Sequence, residues 1–234
     1  MREWVKVARP DGEGPFPVIV FFHHGPGFDE GSEQLVRMIA DHGYFVAAID
    51  RYHRFEPWAK FDPAAMRDPQ SPERARLTDM LFGTTDDLVE EDVAALLEDL
   101  RAEPAARADG PMGCIGYCIG ARSVLRTMAN HPDVFLAGVG LHPSFCATGD
   151  DDSPHLAVPS LPGQLYIGIG EIDRTQSVEM NKPLIAAVDQ LGDRGTVEVH
   201  PGADHGFAVP GSPAYQEAAA SRSYEHAFRL FDSL

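Results

Sequence analysis

The sequence has no run of about 18 apolar residues, roughly the least that a membrane-crossing helix needs, so no span is expected. Met1 to Asp11 has no apolar core of the kind a secretory leader carries. Cysteine is scarce, limited to Cys114, Cys118 and Cys146. An odd, low number without an export signal fits a reducing cytoplasm rather than a disulfide framework. Positive charge is also short: 19 lysines and arginines stand against 36 acidic residues, a net charge of −17. Such a field repels nucleic acid and anionic membrane surfaces, so neither is an expected partner. Internal repeats, low-complexity tracts and linker-like segments are absent too. Residues 1–234 therefore read as a single domain, a monomer or small homo-oligomer.

What is present alternates between strand and helix. Pro17–Phe22 and Tyr44–Ile49 are continuous apolar runs, as strands buried on both faces should be. His23–Gly31 between them is a glycine-rich turn. Ser32 is the expected N-cap of a helix that carries Leu35, Met38 and Ile39 on one face. Asp50–Pro72 is irregular and well placed to wall a pocket. Helices are expected over Glu73–Phe82, Thr85–Leu100, Ile119–Ala129 and Ser177–Leu191. Strands are expected over Met112–Tyr117, Val134–Leu141, Gln164–Ile169 and Thr196–His200. Ser212-Pro213 reads as an N-cap followed by proline at the first helical position, opening a last helix to Phe231. This order predicts an α/β fold, a mostly parallel sheet covered by helices on both faces.

The chemistry centres on Gly116-Tyr117-Cys118-Ile119-Gly120. It has the form of the G-x-S-x-G nucleophile elbow, with cysteine as the nucleophile. A tight strand-to-helix turn crowds the positions two before and two after the nucleophile, so both favour glycine. The same turn lifts the sulfur above the sheet and sets it at a helix N-terminus, whose partial positive charge favours a thiolate. This is the signature of an α/β-hydrolase fold. Cys114, four residues earlier on the strand, reads as core.

The nucleophile needs a base, and the base an orienting acid, in the chain order nucleophile, acid, histidine. His205 lies just past the strand ending at His200 and supplies the base. Asp173 follows the strand ending at Ile169 and supplies the acid, with Glu171 its nearest competitor. The oxyanion needs two convergent N–H donors. Ile119 offers one, and Gly25, in the turn His23-His24-Gly25-Pro26-Gly27, the other, since Pro26 has none. The paired histidines have no third ligand at a metal-site spacing, so no metal is expected.

With these residues in view, the chain resembles the dienelactone hydrolase family over nearly its whole length. The matching segments are PVIVFFHHGPG, the D-R-Y after the next strand, G-Y-C-I-G, G-E-I-D and A-D-H-G-F. The resemblance implies a triad of Cys118, His205 and Asp173. It also implies hydrolysis of small esters or lactones through a thioester acyl-enzyme, without cofactor. Two departures stand out. The family places a glutamate that helps ionise the thiol where this chain has His24. Members acting on dienelactone hold its carboxylate with two arginines. One of these aligns with Arg76, while Ala208 and Val209 occupy the region of the other. His24, Arg76 and Phe207 are thus the candidate pocket residues. Two other readings remain open at this level: a thiol sensor using Cys118, and a non-catalytic ligand-binding relative.

Overall fold

A computed structural model describes residues 1–62, 68 and 70–234. The irregular stretch expected over Asp50–Pro72 therefore lies in part outside the described residues.

Among the described residues, seven strands form one sheet. They are β1 (Val5–Ala8), β2 (Val18–Phe22), β3 (Phe45–Ile49), β4 (Met112–Tyr117), β5 (Phe135–Leu141), β6 (Gln164–Gly170) and β7 (Gly195–His200), in the order β1-β3-β2-β4-β5-β6-β7. All neighbours pair in parallel except β1, which runs antiparallel to β3 at the edge. The helices are α1 (Glu30–Asp41), α2 (Pro72–Gly83), α3 (Asp86–Arg101), α4 (Ile119–Asn130), α5 (Lys182–Asp189) and α6 (Glu217–Phe231).

Alternation along β2 shows why the sheet needs cover on both sides. Val18, Val20 and Phe22 join the core beneath α3, α4 and α5, with Val93, Leu96, Val124 and Leu184. Ile19 and Phe21 join the opposite core beneath α1 and α6, with Leu35, Ile39 and Phe231. Every residue of β2 is buried, which explains its unbroken apolar sequence. Because β2, β4, β5, β6 and β7 run in parallel, the segments that follow them emerge at one edge of the sheet. Ligand sites of open α/β sheets form at that edge.

Four expectations are corrected in detail. Strand β1 is an addition; four residues with a lysine among them carry too little periodicity to announce a strand. Helix α1 is capped by Asp29, not Ser32: the Asp29 carboxylate accepts the Ser32 N–H at 2.8 Å. Helix α5 starts at Lys182 rather than Ser177. The Asn181 side chain ties back to the Gln176 and Ser177 carbonyls, and Pro183, which has no N–H, fits only a first turn. Ser212-Pro213 does not open α6. The Ser212 carbonyl and side chain bond Tyr215 and Ala214 in a closed local turn, and the helix begins at Glu217.

Helix α3 is capped by Thr85, whose hydroxyl accepts the Leu88 N–H at 3.4 Å. Among the described residues no helix is long and apolar enough to cross a membrane.

Candidate active site

Cys118 is the hinge between β4 and α4. Its backbone sits at φ 55 and ψ −117, a conformation costly for a side-chain-bearing residue and typical of stored strain at functional sites. The flanking glycines are steric requirements. A Cβ on Gly116 would lie 2.1 Å from the Gly120 carbonyl oxygen, and one on Gly120 would lie 2.3 Å from that of Phe22. Helix α4 thereby packs directly on the ends of β4 and β2. Cys118 is half-buried, whereas Cys114 and Cys146 are fully buried and their thiols are pushed up by desolvation.

Loops from two more strands converge on the sulfur. His205 follows β7 and Asp173 follows β6. The His205 Nδ1–H donates to Asp173 Oδ2 at 2.8 Å. Asp173 is itself fixed, because its Oδ1 accepts the backbone N–H groups of Thr175 and Gln176 at 2.8 and 2.7 Å. Glu171, the competing acid, instead accepts the Gly202 N–H. The other ring nitrogen, Nε2, is buried without a hydrogen-bond partner among the described residues, and the ring's charge acts on the Cys118 sulfur.

Burial alone would raise the Cys118 thiol. The His205 charge, together with the Ser144 hydroxyl against the sulfur and the Gly25 N–H, outweighs it and brings the thiol down to about 6. Burial alone would likewise lower His205, but the thiolate and Asp173 hold it up, at about 10. Each group thus favours the charged form of the other, thiolate for Cys118 and imidazolium for His205.

The Gly25 N–H favours the ionised sulfur, and the space where a Gly25 Cβ would stand is open. Tyr52 fixes the Gly25 residue by donating to its carbonyl at 2.7 Å. Tyr52 is placed by Asp50, whose carboxylate accepts the Tyr52 and Trp58 N–H groups. The D-R-Y segment thus shapes the turn that carries Gly25. Ile119, at the first turn of α4, lines a cavity of about 410 Å³ with Phe145, Phe82, Arg51, Arg122 and Asp86. Arg122 clamps Asp86 through two hydrogen bonds, at 2.8 and 2.7 Å, and donates to the Phe145 carbonyl at 2.6 Å. Phe145 in turn meets Phe82 edge to face.

The three candidate pocket residues all have partners within the fold. His24 Nε2 pairs with Asp29 Oδ2 at 3.0 Å, and Asp29 is held at about 2 because that bond and charge outweigh its burial. Arg76 is paired with Glu56 and Glu73 and lies over the Phe61 ring at 4.6 Å. Phe207 is fully buried between His142 and His200 and braces the histidine loop from beneath. His23 is a buried neutral ring. Desolvation lowers it to about 3, while Nδ1–H donates to the His24 carbonyl and Nε2 accepts the Arg51 N–H.

Three residues escaped sequence reasoning. Ser144 touches the Cys118 sulfur at 3.3 Å. His142 packs edge to face against His205, with ring centres 4.9 Å apart. Arg51 is a buried guanidinium bonded to Ser123 and the Thr84 carbonyl. The one available signal for the first two was position: His142 to Ser144 follows β5, which ends at the same sheet edge as the elbow.

The dienelactone hydrolase family model matches residues 5–234. Dienlactone hydrolase 1 of Gibberella moniliformis is 25% identical over 203 residues, 86% of this chain and 72% of that protein. A candidate carboxymethylenebutenolidase of Synechocystis is 24% identical over 238 residues, 97% of this chain and 90% of that protein. Among solved structures, a candidate dienelactone hydrolase of Klebsiella pneumoniae has a TM-score of 0.82 at 20% identity, covering 98% of this chain and 92% of that one. That likeness speaks to the α/β-hydrolase fold. The match along the whole chain speaks to the family: this chain is a hydrolase of the dienelactone hydrolase family.

Proposed function

We propose that the chain hydrolyses small ester or lactone substrates through a thioester on Cys118. The observation that carries this reading is the placement of His205, bonded to Asp173 on one side and coupled by charge to the Cys118 sulfur on the other, with the second Asp173 oxygen locked by two backbone N–H groups. The thiolate attacks the carbonyl carbon, and the developing oxyanion is held by the Gly25 and Ile119 N–H groups. The tetrahedral intermediate collapses to a thioester. The His205 imidazolium gives its proton to the departing alkoxide, which in a lactone stays tethered to the acyl group. Neutral His205 then takes a proton from water, the hydroxide attacks the thioester, and the carboxylic acid and thiol are released.

No step calls for a cofactor. Three free cysteines, one of them the reactive group, support a reducing compartment such as the cytoplasm. The cavity beside Ile119, walled by Phe82 and Phe145, is the proposed seat of the substrate. The test is turnover of p-nitrophenyl acetate and of an aryl lactone by wild type and by Cys118→Ala. The alanine variant is expected to lose at least about 10³-fold, the scale for removing a nucleophile. Wild-type turnover by Cys118→Ala would refute the scheme.

A further inference from the structure

The turn after β5 reaches both reacting partners. His142 sits at φ 38 and Phe145 at φ 55, two side-chain-bearing residues in the left-handed region within four positions. Strain of this kind persists only where the surroundings impose it. Here it brings Ser144 against Cys118 twice. The Ser144 N–H donates to the Cys118 carbonyl at 3.0 Å, and the hydroxyl meets the sulfur at 3.3 Å. Ser144 is 1% exposed, and among the described residues its hydroxyl has no other protein partner.

We infer that Ser144 is a further catalytic residue, whose hydroxyl donates to the Cys118 thiolate and favours its ionised form. This rests on the reading of Cys118 as an ionised nucleophile. A neutral thiol is a weak acceptor with a proton of its own to place, so the buried Ser144 hydroxyl proton is poorly satisfied beside it. A thiolate accepts that proton fully. The hydroxyl therefore stabilises one protonation state over the other. The other titratable or charged groups around the sulfur are His205 after β7, Arg51 and Tyr52 after β3, and Cys146 on the same turn as Ser144. His142 lies behind His205, neutral and pushed well down by burial.

The test is a pH titration of thiolate absorbance in the ultraviolet, with Cys118→Ser as the blank. Cys114 and Cys146 are pushed up by burial, so signal near neutrality belongs to Cys118. Wild type is expected to titrate at about 6. Ser144→Ala is expected to titrate about one unit higher, with alkylation near pH 6 slowed roughly fivefold, while Ser144→Thr keeps the wild-type value. Circular dichroism checks folding. If the alanine variant fails to fold, Ser144→Thr and Ser144→Val, nearly equal in shape, give the same comparison. An unshifted Ser144→Ala, or Thr and Val variants that titrate together, would overturn the inference and leave the acyl-enzyme reading intact. A wild-type thiol at its ordinary value, about 8.5, would overturn the inference together with the ionised resting thiolate on which it rests.

Discussion

Replacing Asp173 by asparagine keeps the shape of the side chain and changes one proton. The two oxygens of Asp173 do different work. Oδ1 accepts from the Thr175 and Gln176 backbone N–H groups, and Oδ2 accepts from His205 Nδ1–H. An asparagine must keep its carbonyl toward the two fixed backbone donors, because its amide would otherwise oppose two N–H groups at once. Its NH₂ then faces His205 and forces the lone pair onto Nδ1. The proton moves to Nε2. The neutral ring can no longer take a proton from water, and the imidazolium loses the carboxylate that helps hold it up. The comparable wrong-tautomer change in a serine protease costs about 10⁴-fold in kcat, or about 5 kcal/mol in barrier. A similar loss is expected here, at least about 10³-fold in kcat/KM for p-nitrophenyl acetate, since the geometry is the same. The assay is steady-state hydrolysis, with thermal melting as the check on fold. A well-folded Asp173→Asn with less than about tenfold loss would refute the assignment of Asp173 as the orienting acid.

Three further outcomes follow from the same geometry. Gly120→Ala would drive a Cβ to 2.3 Å from the Phe22 carbonyl; a cost of about 3 kcal/mol should lower the melting temperature by roughly 6–12 °C in a chain of this size. The rate of iodoacetamide alkylation should rise with pH about a midpoint near 6, because a lowered thiol is ionised above that value and protonated below it. Peptide mapping should find the label on Cys118 and leave Cys114 and Cys146 unmodified. His23, held at about 3 in the fold, binds its proton more readily when unfolded, at about 6.5. Its contribution is thus complete above about 6.5 and is lost as pH falls toward 3, about 2 kcal/mol of it by pH 5. Denaturant unfolding of His23→Gln should show a correspondingly shallower loss between pH 7 and pH 5.

The layered α/β architecture was legible because buried parallel strands write themselves as unbroken apolar runs, as β2 and β3 do. The elbow was legible for a steric reason: two glycines at fixed spacing around Cys118 have no room for a Cβ. His205 and Asp173 could be placed because the loops after β7 and β6 must emerge at the edge where the elbow lies. The missing parts depend on packing between segments far apart in the chain. Whether Phe207 faces a ligand or the core is decided by His142 and His200, and Arg76 is captured by Glu56, twenty residues before it. Ser144 carries no motif; its meaning comes from a strained turn that presses it onto a sulfur 26 positions earlier.

The central claim is that a covalent acyl group passes through Cys118. The most direct measurement is to mix the protein with p-nitrophenyl acetate, quench in acid during the first turnovers, and map the modified peptide by mass spectrometry. The account predicts a burst of p-nitrophenol and an acetyl group on Cys118, lost again on incubation at neutral pH. Turnover with an unmodified Cys118, or a stable acetyl group on another residue, would contradict it.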